Sequence, residues 1–300
     1  MSTTEIIDAH HHLWDLQAVR YPWLTQPVSS DGVAGDVSPL QHDYLVSDFL
    51  ADTRTSCVAR SVHVQAESEH GDPVAETRWL QSVADAHGFP HGIVAYAALE
   101  SEDVDEVLAA HCQFPNVRGV RQMLNWHESA ALRQTDRPDY MTDRQWRSGY
   151  ALLERYGLSF DMQIFPSQTS DAATLADAFP QTTIILDHAL MPAARDSAGL
   201  DVWRQGLREL ARRPNVAVKI SGLGMFDHHW TPGSVRPFIL ETIEIFGPDR
   251  CMFGSNFPVD RLYSSYEVLV QSFREAIAGF SPHEQALLLH DNAARLYRLN

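Results

Sequence analysis

Apolar, β-rich runs recur along the chain at Glu5–His12, Arg60–Glu67, Gly92–Leu99, Val117–Met123, Leu158–Phe165, Thr183–Ala189, Val216–Ser221 and Arg250–Phe257. Between them, apolar residues return every three or four positions, the period of an amphipathic helix, over Val74–His87, Asp103–His111, Asp143–Tyr156, Asp171–Phe179, Val202–Arg212 and Val235–Phe246. Tyr266–Ala278 continues the alternation, and Pro282–Leu296 adds a terminal helix expected to cap the fold or pack on its outside. Strand and helix in alternation predict a parallel sheet. Eight units in succession, without a Pro/Ser-rich linker, predict a closed (β/α)8 TIM barrel of the α/β class forming one domain over residues 1–300, with a C-terminal extra helix. The first repeat is irregular: Tyr21–His42 is a long stretch rich in Pro, Ser, Gly and Asp, and Trp14, Tyr21 and Trp23 suggest that it covers a site.

Composition narrows the partners. Hydrophobic residues make up 44% and charged residues 21%, the proportions of a folded soluble domain. With 23 Lys and Arg against 39 Asp and Glu, the formal charge is −16, which repels nucleic acid and anionic membrane surfaces. No apolar run approaches the ~20 residues that span a bilayer. The three cysteines, Cys57, Cys112 and Cys251, lie far apart and fit a reducing cytosol. The first eight residues do not read as a signal peptide. The expectation is a cytoplasmic protein acting on a small molecule, and the sequence leaves a homo-oligomer open.

Polar residues gather at the C-terminal ends of the strands, where barrel active sites are built. On a strand, residues i and i+2 share a face, so His10 and His12 point together into the barrel while His11 faces the helices. A pair of imidazoles there suits a divalent cation or a polarised carbonyl. Other ends supply His63, Gln65 and Glu67, then Arg121, Asp161 with Gln163, His188, and Lys219 with Ser221. Any one of them is readable as a buried ion pair or a layer-filling residue, but their accumulation at one end of eight strands is hard to explain structurally. Arg121 is either a substrate anchor for a carboxylate or carbonyl, or the partner of Glu67 or Asp161. Trp126 and His127, in the loop after the fourth strand, either face the opening or pack the loop.

Six motifs in order give the chain a resemblance. They are Asp8-x-His10-x-His12 with Leu13 and Trp14, Val64-Gln65-Ala66-Glu67, Gly119-Val120-Arg121-Gln122, Asp187-His188-Ala189, Lys219-Ile220-Ser221-Gly222 and Phe253-Gly254-Ser255-Asn256-Phe257-Pro258. Through them the chain resembles the amidohydrolase superfamily, and within it the amidohydrolase-2 group of metal-dependent TIM-barrel hydrolases that includes sugar-lactone hydrolases and 2-pyrone-4,6-dicarboxylate lactonase. The resemblance implies catalytic roles for His10, His12 and His188, and puts Asn256 where the family carries an aspartate that ligates metal and acts as base. Asp260, four residues on, is a replacement base or a helix cap. Substrate contacts are expected from Arg121, Gln65, Lys219, Trp14, Trp126 and His127. Strand five lacks the bridging lysine or histidine of binuclear members, so the expected cofactor is none, or one zinc or manganese ion held weakly by His10, His12 and His188. The implied reaction is water attack on the carbonyl of a lactone from sugar-acid or aromatic catabolism. The alternatives are a metal-dependent decarboxylase of an aromatic acid, which Asn256 counts against, and an inactive binding homologue.

Overall fold

The computed structural model describes residues 4–27 and 32–299. Its strands are β1 (Ile6–His11), β2 (Val58–Val64), β3 (Gly92–Tyr96), β4 (Val117–Met123), β5 (Ser159–Gln163), β6 (Ile184–Leu186), β7 (Val216–Ile220) and β8 (Cys251–Phe253). They pair in sequence order and in parallel, as successive βα units require. Just beyond β8 the ring meets β1: Asn256 N–H donates to His10 O and His12 N–H to Phe257 O, each at 2.7 Å.

One helix of eight residues or more follows each strand: α1 (Val46–Thr53), α2 (Ala75–His87), α3 (Val104–His111), α4 (Arg144–Tyr156), α5 (Thr169–Ala178), α6 (Ser197–Ala211), α7 (Pro232–Phe246) and α8 (Tyr266–Ala276). The periodicity missed α1, which hides in the irregular first repeat with Val46, Phe49 and Thr53 on its buried face. No helix among the described residues is long and apolar enough to cross a membrane.

Inside the ring, Ile7, Ala9, Val62, Val64, Val94, Ile185, Ala217 and Met252 form one apolar layer. The C-terminal segment does more than pack outside. After helical turns over Pro282–Leu296, Tyr297 and Leu299 join that layer, and Tyr297 Oη donates to Asp161 Oδ2 at 2.7 Å. The barrel is plugged from one end by the chain's own terminus.

β1 departs from simple alternation. Asp8 pairs with Ser61 and His11 with His63, so three steps on β1 match two on β2, a bulge. It separates Asp8 from the imidazoles that share its parity. The Asp8 carboxylate accepts from Ser255 N–H (2.9 Å), Ser255 Oγ (2.6 Å) and Tyr266 Oη (3.0 Å), tying β1 to the segment after β8 and to α8. His11 stacks on Phe49 of α1 with ring centroids 4.1 Å apart.

On the apolar layer rests an ionic one. Lys219 Nζ on β7 donates to Asp161 Oδ2 on β5 at 2.5 Å and lies 3.2 Å from Asp187 Oδ1 after β6, all three fully buried. Truncating the cation would strand two buried carboxylates, a loss of about 3–5 kcal/mol for broken buried pairs. Lys219→Met should therefore lower unfolding stability by that order in urea titration. Unchanged stability would show that the carboxylates have other compensation.

Candidate active site

A cavity of about 390 Å³ opens above the ionic layer. Its polar wall is His12, Glu67, Arg121, Gln134, Gln163, His188 and Asn256, and its apolar wall includes Trp23, Val33, Val37, Met123, Met191, Met225 and Val259. Trp23, Val33 and Val37 come from the long first loop, which lies over the site; residues 28–31 of that loop fall outside the described residues.

Arg121 is the anchored cation of this wall. Its Nη1 donates to Gln163 Oε1 at 3.0 Å and stands 3.6 Å from Asp187 Oδ2, and Nη2 donates to the carbonyl of Gln65. Its ion-pair partner is thus Asp187, not Glu67 or Asp161. The Arg121 Nε–H has no partner within the protein.

Asp187 and His188 are consecutive, and on a strand they would face opposite ways. They meet because His188, Ala189, Leu190 and Met191 all take positive φ, from 48° to 62°. Such a left-handed turn is costly for residues with a Cβ and marks a site whose surroundings hold it in place. Gly222 permits the packing: a Cβ there would stand 2.5 Å from His188 Nδ1. His188 Nδ1 instead pairs with Ser221 Oγ at 3.0 Å.

The histidines are held neutral. Burial drives the His10 and His12 imidazoles well below their ordinary range, against the pull of Asp187 on the first and with the push of Arg121 on the second. Burial likewise lowers His188 to about 4, with Asp187 opposing and Arg121 and Lys219 assisting. Burial alone would raise Asp187, but Lys219 and His10 hold it well below the carboxylate range. A neutral His10 donates Nδ1–H to Asp187 Oδ1 at 3.2 Å, which leaves its Nε2 lone pair buried and unpartnered. His12 donates Nδ1–H to Val64 O at 2.7 Å and so keeps Nε2 as an acceptor.

A metal ion fits one corner. His10, Asp187 and His188 each offer a ligand atom, all within 4.8 Å of one another, and His10 Nε2 and Asp187 Oδ2 lack hydrogen-bond partners. The trio differs from the expected one: Asp187 replaces His12. An aspartate next to a histidine gave no alternation signal, because the left-handed turn is invisible to strand periodicity.

The other expected residues are placed as follows. His12, Arg121, His188 and Asn256 line the cavity, and His10 lies in the layer that includes Asp187 and Lys219. Lys219, expected at the substrate, is fully buried among carboxylates. Gln65 spends its side chain on Glu67, donating from Nε2 to Oε1 at 2.5 Å. Trp14 is wholly buried and donates to His42 O, and Trp23 takes the cavity wall in its stead. Trp126 packs within its loop against Arg133, and His127 packs across to Phe165 just after β5. Asp260 stands behind Asn256 and does not line the cavity. Glu67, a strand-end carboxylate expected at most to pair with Arg121, lines the cavity instead. It is the sole carboxylate among the described residues lining the cavity.

A family model described as Amidohydrolase matches residues 7–299. The protein y4mH of Sinorhizobium fredii is 44% identical over 299 residues, covering all of both chains. An L-fucono-1,5-lactonase of Burkholderia multivorans is 29% identical over 305 aligned positions, 98% of this chain and 96% of that one. A solved amidohydrolase of Burkholderia multivorans with bound zinc superposes with a TM-score of 0.83 at 27% identity, covering 99% of this chain and 100% of that one.

Because folding keeps His188 neutral, its share of stability is complete above the unfolded value near 6.5 and is lost as pH falls toward about 4. Between pH 7 and 5 this costs about 2 kcal/mol. Wild type should lose that much more stability than His188→Asn over the same interval in urea unfolding. Parallel losses would show that His188 does not titrate as its burial requires.

Proposed function

The chain belongs to the amidohydrolase family, and from that premise we propose that it hydrolyses a lactone, with the 1,5-lactone of a sugar acid as the favoured substrate. The observation that carries the reading is Arg121: a buried guanidinium with an unpaired Nε–H, lining one cavity with His12, His188 and Asn256. Water attacks the carbonyl carbon as its proton passes to a neutral imidazole, His12 Nε2 or His188. Arg121 faces the oxyanion, its position held by Gln163 and Asp187. The bond from the acyl carbon to the ring oxygen then breaks, and the ring oxygen takes a proton, giving a hydroxy acid. An activated ester needs less assistance than an amide, which suits a cavity whose strand-eight residue is an amide rather than a carboxylate.

His10, Asp187 and His188 would hold one zinc or manganese ion, whose chemistry when bound is to polarise the carbonyl as a Lewis acid. The reading makes that binding weak, because Lys219 already neutralises Asp187 from 3.2 Å and Arg121 stands close by. Glu67 favours an uncharged polyol ring over a dicarboxylate: its Oε atoms accept from hydroxyls and repel anions. A cytoplasmic location accords with the free thiols of Cys112 and Cys251.

Acid release from L-fucono-1,5-lactone, other sugar-acid lactones and 2-pyrone-4,6-dicarboxylate tests the reading. The sugar lactones should turn over, and kcat/KM for the dicarboxylate should be at least about tenfold lower, the scale of one unfavourable charge contact. A protein that opens none of them above the uncatalysed rate would overturn it. Arg121→Lys should lower kcat/KM by about a hundredfold or more, the loss on removing an oxyanion donor. A change in melting temperature alone would make Arg121 a structural ion.

Glu67→Gln should narrow the gap between the neutral and the anionic lactone, mainly through KM. An unchanged ratio would remove Glu67 from substrate selection.

A further inference from the structure

Asn256 stands where the resemblance leads one to expect an aspartate, and what lies behind it gives that exchange a consequence. Its backbone is fixed by the seam that closes the barrel, with N–H donating to His10 O at 2.7 Å and φ at 58°. The side chain, 2% exposed, lines the cavity. Its Nδ2 donates to Asp260 Oδ2 at 2.6 Å, a short charge-assisted hydrogen bond between two buried groups.

Asp260 is itself held. It lies on the short turn Val259–Leu262, its N–H donates to Asn256 O at 3.1 Å, and its Oδ1 accepts from Gly224 N–H at 3.3 Å in the loop after β7. A Cβ at position 224 would come within 2.7 Å of Asp260 Oδ1, so the glycine lets the loop backbone approach. The carboxylate borders a separate small pocket beside Trp230, not the large cavity. It cannot meet a substrate. It can decide which end of the neighbouring amide does.

A primary amide carries its nitrogen and oxygen on one trigonal carbon. With Nδ2 committed to Asp260, Oδ1 is the other branch, and no described group donates to it. Turning the amide over would set its oxygen against a carboxylate oxygen at hydrogen-bond distance and leave a buried acceptor pair unsatisfied. While Asp260 is ionised, the observed orientation is favoured by roughly a hundredfold, the scale for loss of a charge-assisted bond. We propose that Asp260 is a positioning residue, locking Asn256 so that strand eight presents an acceptor oxygen to the cavity, where it orients the attacking water. The catalytic half of this statement rests on the lactonase reading; the lock does not.

Asn256 and Asp260 then form a coupled pair, with the amide at the cavity and the acid behind it. Asn256→Asp alone would put two carboxylates at the 2.6 Å contact, and one would be forced to keep a proton. Changing both restores one donor and one acceptor, with an oxygen still facing the cavity.

Four proteins test this: wild type, D260N, N256D and the swap N256D/D260N. Against L-fucono-1,5-lactone, D260N should lose about tenfold or more in kcat, with KM moving less than about threefold, the pattern of a group acting after substrate binds. N256D should be impaired too, and the swap should recover to within about threefold of wild type. A structural role alone would shift melting temperatures without rescuing kcat in the swap.

The second readout needs no substrate. In the ¹⁵N–¹H spectrum the Asn256 side-chain amide, identified by its loss in N256D, should show one downfield, slowly exchanging proton in wild type that D260N abolishes. Wild-type kcat in D260N, or an amide signal indifferent to D260N, would overturn the proposal. If D260N fails to fold, the swap decides: it must fold and turn over lactone, and an inactive folded swap would overturn the positioning role. Absence of lactone turnover in wild type would overturn the proposed function, while the amide signal would still decide the lock.

Discussion

A buried cation between two carboxylates is the constraint on which the site depends. Lys219 reaches Asp161 and Asp187 from inside the ring, and the charges cannot be displaced singly without stranding a partner in low dielectric. Each end of the arrangement is tied to something else. Asp161 is gripped from below by Tyr297, so the C-terminal plug and the ionic layer fix one another. Asp187 reaches His10 and Arg121 above, so the orientation of an imidazole and the place of a guanidinium follow from where Lys219 puts that carboxylate. The cavity floor thus sets two cations against two carboxylates.

The same balance explains why the imidazoles stay neutral. Two cations, Lys219 and Arg121, already face the carboxylates, so a third positive charge on His12 or His188 would be both desolvated and repelled. Neutral rings keep lone pairs at neutral pH, the state in which they can accept a proton or a metal ion. Their low basicity limits how strongly they do either. A site of this kind suits an electrophile that is already activated.

The barrel was legible because period-two and period-3.6 patterns alternate cleanly through seven of the eight repeats. It was not legible where the chain breaks period. α1 follows directly on the Pro-, Ser-, Gly- and Asp-rich stretch Tyr21–His42, and only its own short face of Val46, Phe49 and Thr53 betrays it. In the site, strand alternation found the faces of His10, His12 and Arg121. It missed Asp187, whose neighbour His188 is brought alongside by four successive left-handed residues. It also read Lys219 as a substrate contact, since a lysine pointing into a barrel looks the same in sequence whether solvent or two carboxylates await it. Trp14 and Trp23 are likewise interchangeable as letters; the pairing of Trp14 with Tyr44 buries the first and leaves the second to line the cavity.

The place where the ring closes is also where the chemistry is least like the pattern the sequence resembles, and the two facts are connected. Closure requires the segment after β8 to run beside β1, which brings Ser255 onto Asp8 and Asn256 N–H onto His10 O. Asp8 already places one buried carboxyl at this seam, raised by burial to about 6 despite the donors of Ser255 and Tyr266. Asp260 adds another, raised by burial to about 7. A third carboxylate at position 256 would meet Asp260 across the 2.6 Å contact, while Lys219 and Arg121 are both committed to Asp161 and Asp187. An amide at 256 supplies the donor that Asp260 needs and adds no charge. The departure at strand eight is therefore a consequence of where the acids sit, and the cavity inherits an amide because the seam behind it is already acidic.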